Sequence, residues 1–388
     1  MMVALKQNRL LVYAIVLCAA ARVVVFAYST VNPVFDDSGN SVSPALYQTG
    51  GDMQNYGLTA YKLFERPIEK LFRDYDKTYA GELVDGGTIV SFAPLFPTLI
   101  YVLDYRENNT WPTAAFFLAC SVILAAIWLY WLQANGVTGL WLLAFSVIPL
   151  PIWYTISVTS DMPFALLFAL FFMTYFREKW SAGVVVIWVG LLILILLARP
   201  NGLAVLLFVL ADFVVRGLRG ERRVVALVVV ALLVGAGIPS VYYYYPQFLA
   251  FVRVSAGATF FSVPADAYVA GLFPEWPGVF DRIVSILLLI AAKLLYFVGL
   301  RPSYSDQSLV IVALRAAPGL ILLPGLIVAL VQAGWRMRML LLIFCFPILI
   351  GASQERYILP IQPILYLFGV VALQRVLDRS TGRWRAER

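Results

Sequence analysis

The sequence predicts an all-α, polytopic transmembrane bundle of about ten to twelve helical spans. Three observations predict it. Of 388 residues, 62% are hydrophobic and only 13% are charged, against about 25% charged in a soluble domain. The apolar residues are gathered into runs long enough, or nearly long enough, to cross a bilayer. The net charge of +7 sits largely in short basic clusters between those runs, a pattern that orients helices in a membrane and does not call for nucleic acid.

The runs are taken in chain order. Apolar segments cover 10–29, 89–103, 112–133, 139–157, 162–176, 182–198, 201–215, 224–244, 283–300, 309–332, 339–352 and 357–374. A full span needs about 20 residues, with ~17 as the lower limit. Segment 10–29 lacks a convincing small-residue cleavage site, so it reads as a retained first helix and not a removed signal. Segment 89–103 is short and holds two prolines, which suits a piece lying in the interface. The whole chain, 1–388, reads as one integral-membrane domain. It has a long first outer loop at 30–88, a second outer or interfacial region at 245–282 and a basic cytoplasmic tail at 375–388.

Basic residues set the sides. Lys6 and Arg9 hold the N-terminus inside, and the clusters at 177–179, 216–223 and 336–338 and the tail also favour the cytoplasmic face. If 89–103 does not cross, Ser160–Asp161 and Arg199 fall outside, and working back from the tail puts 353–357 outside as well. The two halves meet only if 283–300, with Lys293 inside it, does not cross, or if 246–263 does. The outer face then collects the polar residues and the inner face only short basic turns.

Composition restricts the chemistry. There is no histidine, which excludes a Ser-His-Asp triad, a histidine base and a His-ligated zinc, and leaves Asp, Glu, Lys or Tyr for proton transfer. Cys18, Cys120 and Cys345 all lie in apolar runs and read as small apolar filler, with no disulfide framework and no metal cluster. No Walker A loop, GxGxxG turn or CxxC pair occurs.

The candidate residues stand at apolar-to-polar boundaries. Asp52, Tyr56 and Ala60 are spaced by four behind Gly50-Gly51, which predicts one stripe on a helix over 52–64 lying along the outer surface. Such a helix could be an amphipathic interfacial element with a capping acid, or a platform presenting a base. Asp161, in "SVTSDMPFALLFALFFMTYF", is either a helix-start acid, with Ser160 as N-cap and Pro163 in the first turn, or a substrate ligand. Arg199, before Pro-Asn-Gly, and Arg356, in "SQERY", run against the positive-inside trend if outward, so they are either phosphate ligands or partners in structural salt bridges. Arg22, Lys293 and Arg315, inside apolar runs, are expected to snorkel or pair. "NPVFDDSGN" reads as a turn with solvated Asp36 and Asp37.

These landmarks together resemble the GT-C superfamily of membrane glycosyltransferases, nearest its PIG-V-like (GPI mannosyltransferase 2-like) branch and prokaryotic relatives. "GGDMQNYGLTAYKLFERP" is similar to that branch's W-D-x-x-x-Y-x-x-x-A segment, and "SFAPLFPTLI" to its F-P-L-Y-P-L run. "PIWYTISVTSDMPFALLFAL" resembles its stretch of Tyr, Thr or Ser, and an acid. "ARPNGLAVLL" resembles its Arg-Pro-Asn-Gly-Leu type of turn, and "SQERYILPIQPIL" its S-x-x-R-Y motif followed by proline. The resemblance covers roughly 10–375, with Gly51 where the branch has Trp and Asp161 where it usually has Glu.

The resemblance implies a GT-C-like bundle in a plasma or inner membrane, or the ER membrane of a eukaryote, with the active site on the outer or lumenal face. It implies inverting transfer of a mannose-like hexose or a pentose from a polyprenyl-phosphate donor to a lipid- or glycan-linked acceptor, among membrane lipids and without nucleic acid. It carries a catalytic role onto Asp52 and substrate-site roles onto Asp161, Tyr56, Arg199, Asn201, Gln354, Glu355, Arg356 and Tyr357. A one-phosphate lipid donor can react without a cofactor, and the resemblance does not decide between metal-free and metal-assisted transfer. Asp36, Asp37, Asp52 and Asp161 are nonetheless the acids that could hold magnesium or manganese. The other readings are a lipid-linked glycan transporter or flippase, which should show inverted repeats and a midplane site, and a polysaccharide polymerase or ligase, whose largest loop should come later in the chain.

Overall fold

The computed structural model describes residues 2–31, 34–35, 41–42, 95–103, 111–155, 159–177, 179–199, 201–218, 287, 290–291, 293–300, 313–314, 316–350 and 355–380. Its regular elements are overwhelmingly helical. They run α1 (Met2–Val31), β1 (Val34–Phe35), β2 (Ser41–Val42), α2 (Leu95–Val102), α3 (Trp111–Ala134), α4 (Leu140–Ser146), α5 (Pro149–Trp153), α6 (Asp161–Tyr175), α7 (Ala182–Ala198), α8 (Gly202–Leu218), α9 (Gly319–Gln332), α10 (Trp335–Ile350), a 3-10 turn (Glu355–Ile358) and α11 (Gln362–Ser380). The two-residue strands pair antiparallel, Val34 opposite Val42 and Phe35 opposite Ser41.

Among the described residues two helices, Arg9–Tyr28 and Pro112–Ala134, are long and apolar enough to cross a membrane, and α6, α7, α9 and α11 contain shorter apolar helices. Along α1 the side chains of Val12, Tyr13, Val16, Val23, Val24 and Tyr28 are exposed. Cys18, Cys120 and Cys345 are free and buried.

Three predicted runs are not continuous helices. Segment 139–157 breaks into α4 and α5 at Val147–Ile148. Pro149 has no N–H to extend the ladder, and it biases the residue before it away from the α region. Segment 309–332 turns at Ala317–Pro318 before α9 begins. Segment 357–374 opens as a 3-10 turn and becomes α-helical only at Gln362, because Pro360 interrupts it, while Pro363 is tolerated within the first turn of α11.

The chain divides into two compact units, one of Met1–Arg22, Val122–Trp153 and Ala258–Arg388, the other of Val23–Ser121 and Tyr154–Gly257. In the first, α9 packs along α11 and against α10. The α9–α11 crossing is made by glycines: a methyl group on Gly325 would meet the Leu365 carbonyl, and one on Gly369 the Ile321 carbonyl. Close backbone approach of this kind is how apolar helices gain van der Waals contact where burial from water drives little. Tyr366 ties α4 to α11. Its hydroxyl donates to the Trp141 carbonyl at 2.6 Å, and its ring lies 5.1 Å from that of Phe145.

In the second unit, α6 packs on α7, and α7 on α8 and α2. Phe96 of α2 meets Phe117 of α3 edge-on at 6.0 Å. The Ser121 and Thr155 hydroxyls, both buried, share a hydrogen bond of 3.0 Å, which joins α3 to the segment entering α6.

Candidate functional site

The site is built at one end of the α6–α7 hairpin. Ser160 stands at the N-cap of α6 in helical geometry (φ −65°, ψ −8°) and makes no side-chain cap bond. The expected hydroxyl cap is therefore not used, although the Ser160 carbonyl accepts from the Phe164 N–H at 3.1 Å. Asp161 follows as the first helical residue, and Pro163 falls within the first turn, where a missing N–H costs no ladder bond.

Helix α7 opens conventionally, with the extended Ser181 accepting from the Val184 N–H at 3.3 Å. It ends at Arg199, whose backbone is extended (φ −158°, ψ 151°). The cause is in the sequence: Pro200 disfavours the α region for the residue before it. The chain then doubles back within three residues. The Gly202 N–H bonds the Arg199 carbonyl at 2.9 Å, and a Cβ on Gly202 would lie 2.5 Å from the Ile195 carbonyl oxygen. Glycine is therefore required where α8 begins, pressed against the last turn of α7. Asn201, half-buried, accepts through its carbonyl from the Ala204 N–H at 3.1 Å.

This local geometry brings two predicted residues together. The Arg199 guanidinium donates to the Asp161 carboxylate through its terminal nitrogen, and the two form an ion pair. The arginine side chain is 12% exposed and the aspartate 4%. Each charge also stands at the helix end that favours it, the anion at the N-terminus of α6 and the cation at the C-terminus of α7. A buried pair of this kind gives up hydration of both ions, so its net contribution is small, but removing one partner costs about 3–5 kcal/mol.

The other predicted residues are placed as follows. Asp52, Tyr56 and Gln354 lie outside the described residues, as do Asp36, Asp37 and the predicted helix over 52–64. Glu355 is described for its backbone alone, within the 3-10 turn. Arg356 and Tyr357 belong to the first unit, with the Arg356 guanidinium 5.7 Å from the centre of the Tyr357 ring. Arg22 is buried and donates within its own helix, at 3.1 Å to the Cys18 carbonyl and 2.6 Å to the Cys18 Sγ. Lys293 is likewise buried, and Arg315 lies outside the described residues.

One polar cluster was missed by sequence reasoning. At the opposite end of the same three helices the Tyr175 hydroxyl donates to Asp212 Oδ2 at 2.6 Å, and Arg216 Nε lies 3.3 Å from the same oxygen. The Arg216 guanidinium covers Trp180 at 5.1 Å, and the Trp180 indole N–H donates to the Tyr175 carbonyl at 3.1 Å. The available signal was the four-residue spacing of Asp212 and Arg216 in "ADFVVRGLR".

Among the described residues no group of three or more cysteine, aspartate or glutamate side chains is disposed to hold a metal ion. Comparison with family models, with curated proteins and with solved structures finds no match.

Proposed function

We propose that this chain is an inverting, GT-C-type membrane glycosyltransferase that moves a sugar from a polyprenyl-phosphate donor to a lipid- or glycan-linked acceptor at the outer face. The observation that carries the reading is the Asp161–Arg199 pair. Two residues nominated separately by the resemblance, one in the acid-bearing stretch and one in the Arg-Pro-Asn-Gly turn, form a single charged site at the end of an apolar helix hairpin. The two helices able to cross a membrane and the exposed apolar face of α1 support the membrane setting.

In this reaction an acceptor hydroxyl attacks the anomeric carbon. The new C–O bond forms as the bond from that carbon to the phosphate oxygen breaks, and the configuration inverts. Asp52 takes the hydroxyl proton, the role left to a carboxylate in a chain without histidine. The phosphate leaves on its lipid carrying the bond electrons, and a guanidinium stabilises that growing charge. Arg199 is assigned to the phosphate, Asp161 and Asn201 to the hydroxyls of donor or acceptor, and the resemblance alone adds Arg356 as a phosphate ligand.

The test is purified protein in lipid nanodiscs, incubated with a panel of radiolabelled polyprenyl-phosphate sugars and a membrane lipid extract as the acceptor source. Label should pass to an acceptor with release of polyprenyl phosphate. Movement of the intact donor across the bilayer without transfer would sink the reading in favour of a flippase.

A further inference from the structure

We infer that Asp161 is an internal surrogate anion: it holds Arg199 until a lipid-borne phosphate takes its place, and this exchange of anions on one arginine is how the site admits its donor. The inference rests on the glycosyltransferase reading for the identity of the lipid, and on the geometry for the exchange.

The geometry carries it in three steps. First, an arginine in an apolar end must have an anion at all times, because an uncompensated buried charge is strongly unfavourable. Asp161 meets that need in the resting protein. Second, the two partners differ in access. Arg199 keeps 12% of its side-chain surface and Asp161 4%, so an incoming anion meets the cation first. The guanidinium presents five N–H donors in a planar fork, which suits the several oxygens of a phosphate better than a point charge would. Third, the backbone under Arg199 is fixed. Arg199 is extended, as a residue before proline favours, and the Gly202 N–H is bonded to the Arg199 carbonyl at 2.9 Å. The exchange is therefore a side-chain event. Asp161 stays at the N-terminus of α6 when displaced, where the unbonded N–H groups of the first turn and the helix dipole together compensate its charge, and it becomes the carboxylate offered to sugar hydroxyls.

A structural salt bridge and a surrogate anion give opposite results when the charges are exchanged. Binding of undecaprenyl phosphate in nanodiscs would be followed by native mass spectrometry for the parent, D161N, R199Q and the swapped D161R/R199D protein, with melting measured alongside. If the exchange operates, D161N binds about tenfold tighter than the parent, because the competing anion is gone. R199Q binds at least tenfold more weakly. The swap melts above either single variant, though below the parent because each charge then meets the unfavourable helix end, and it does not recover the parent's binding. Equal or weaker binding by D161N, or parental binding by the swap, overturns the proposal.

Should D161N not fold, the parent itself supplies the test. With carboxyl-carbon-labelled aspartate, the Asp161 resonance, identified by its loss in D161E, must move on addition of undecaprenyl phosphate and stay put with undecaprenol. An unmoved resonance overturns the exchange.

Failure of the two readings is distinguishable. If phosphatidate or inorganic phosphate competes as well as undecaprenyl phosphate, the exchange stands and the polyprenyl-phosphate reading falls. If undecaprenyl phosphate binds specifically but indifferently to D161N and to the swap, the reading stands and the exchange falls.

Discussion

The Tyr175 hydroxyl donates at 2.6 Å to the carboxylate of Asp212, a side chain with no exposure at all. Tyr175 is the last residue of α6, and Asp161 is the first. The α6–α7–α8 layer is thus held by polar contacts at both ends, Asp161 to Arg199 at one and Tyr175 to Asp212, with Arg216 and Trp180, at the other. Tyr175→Phe removes a hydrogen bond to a charged group, worth about 1.5–3 kcal/mol. The protein should melt at a lower temperature while the donor affinity of the folded fraction stays near the parent's. A large loss of affinity without a change in melting would contradict this.

Gly202→Ala should be costly for so small a change. The added methyl lies 2.5 Å from the Ile195 carbonyl oxygen, backbone that cannot move aside as a side chain would. Overpacking of this sort costs about 1–3 kcal/mol. Because the displaced turn carries Arg199, transfer should fall together with stability. Circular dichroism melting and a transfer assay on the same preparation would decide it, and normal values for both would refute the tight turn.

Arg356→Lys keeps the charge and loses the planar fork. Under the proposed function it raises the apparent KM for the polyprenyl-phosphate donor and leaves the acceptor KM near its parental value. An unchanged donor KM removes Arg356 from the phosphate site.

Asp52→Asn keeps the shape of the side chain and removes its charge. A general base typically contributes about 10²–10⁴-fold, so transfer should drop by that factor while undecaprenyl phosphate still binds. Substantial residual turnover in Asp52→Asn together with its abolition in Asp161→Asn would reverse the two assignments.

How much of this was legible in the sequence differs by element. Helix α7 spans the predicted 182–198, and α6 is offset by one residue from the predicted 162–176. Both are unbroken apolar runs ended by residues with clear physics, Ser181 as an N-cap and Arg199 before a proline. The runs that failed, such as 139–157, contain internal prolines, and hydropathy does not register a missing N–H. At the site, Asp161 and Arg199 were each nominated as boundary charges, but their pairing was not read, although both residues were present in the string. They lie 38 residues apart with no shared periodicity. What joins them is that α6 and α7 have similar lengths, 15 and 17 residues, so an antiparallel hairpin aligns its ends. The Asp212 cluster escaped because a carboxylate deep in an apolar helix looks like an interruption until its tyrosine partner, from another helix, is in place.

The separation of the paired charges also has a consequence for how the protein is made. At about 5–20 residues per second, the 38 residues from Asp161 to Arg199 take roughly two to eight seconds to synthesise. In a membrane-inserted chain α6 would reach the insertion machinery, its leading carboxylate included, before its arginine had been translated. A charge at the centre of a bilayer costs about 2.5–3.5 kcal/mol even on insertion scales, and one at a helix end costs less but still disfavours entry alone. Under the proposed membrane setting, retention of the nascent α6 until α7 follows would let the two helices enter the lipid as a pair with their charges already matched.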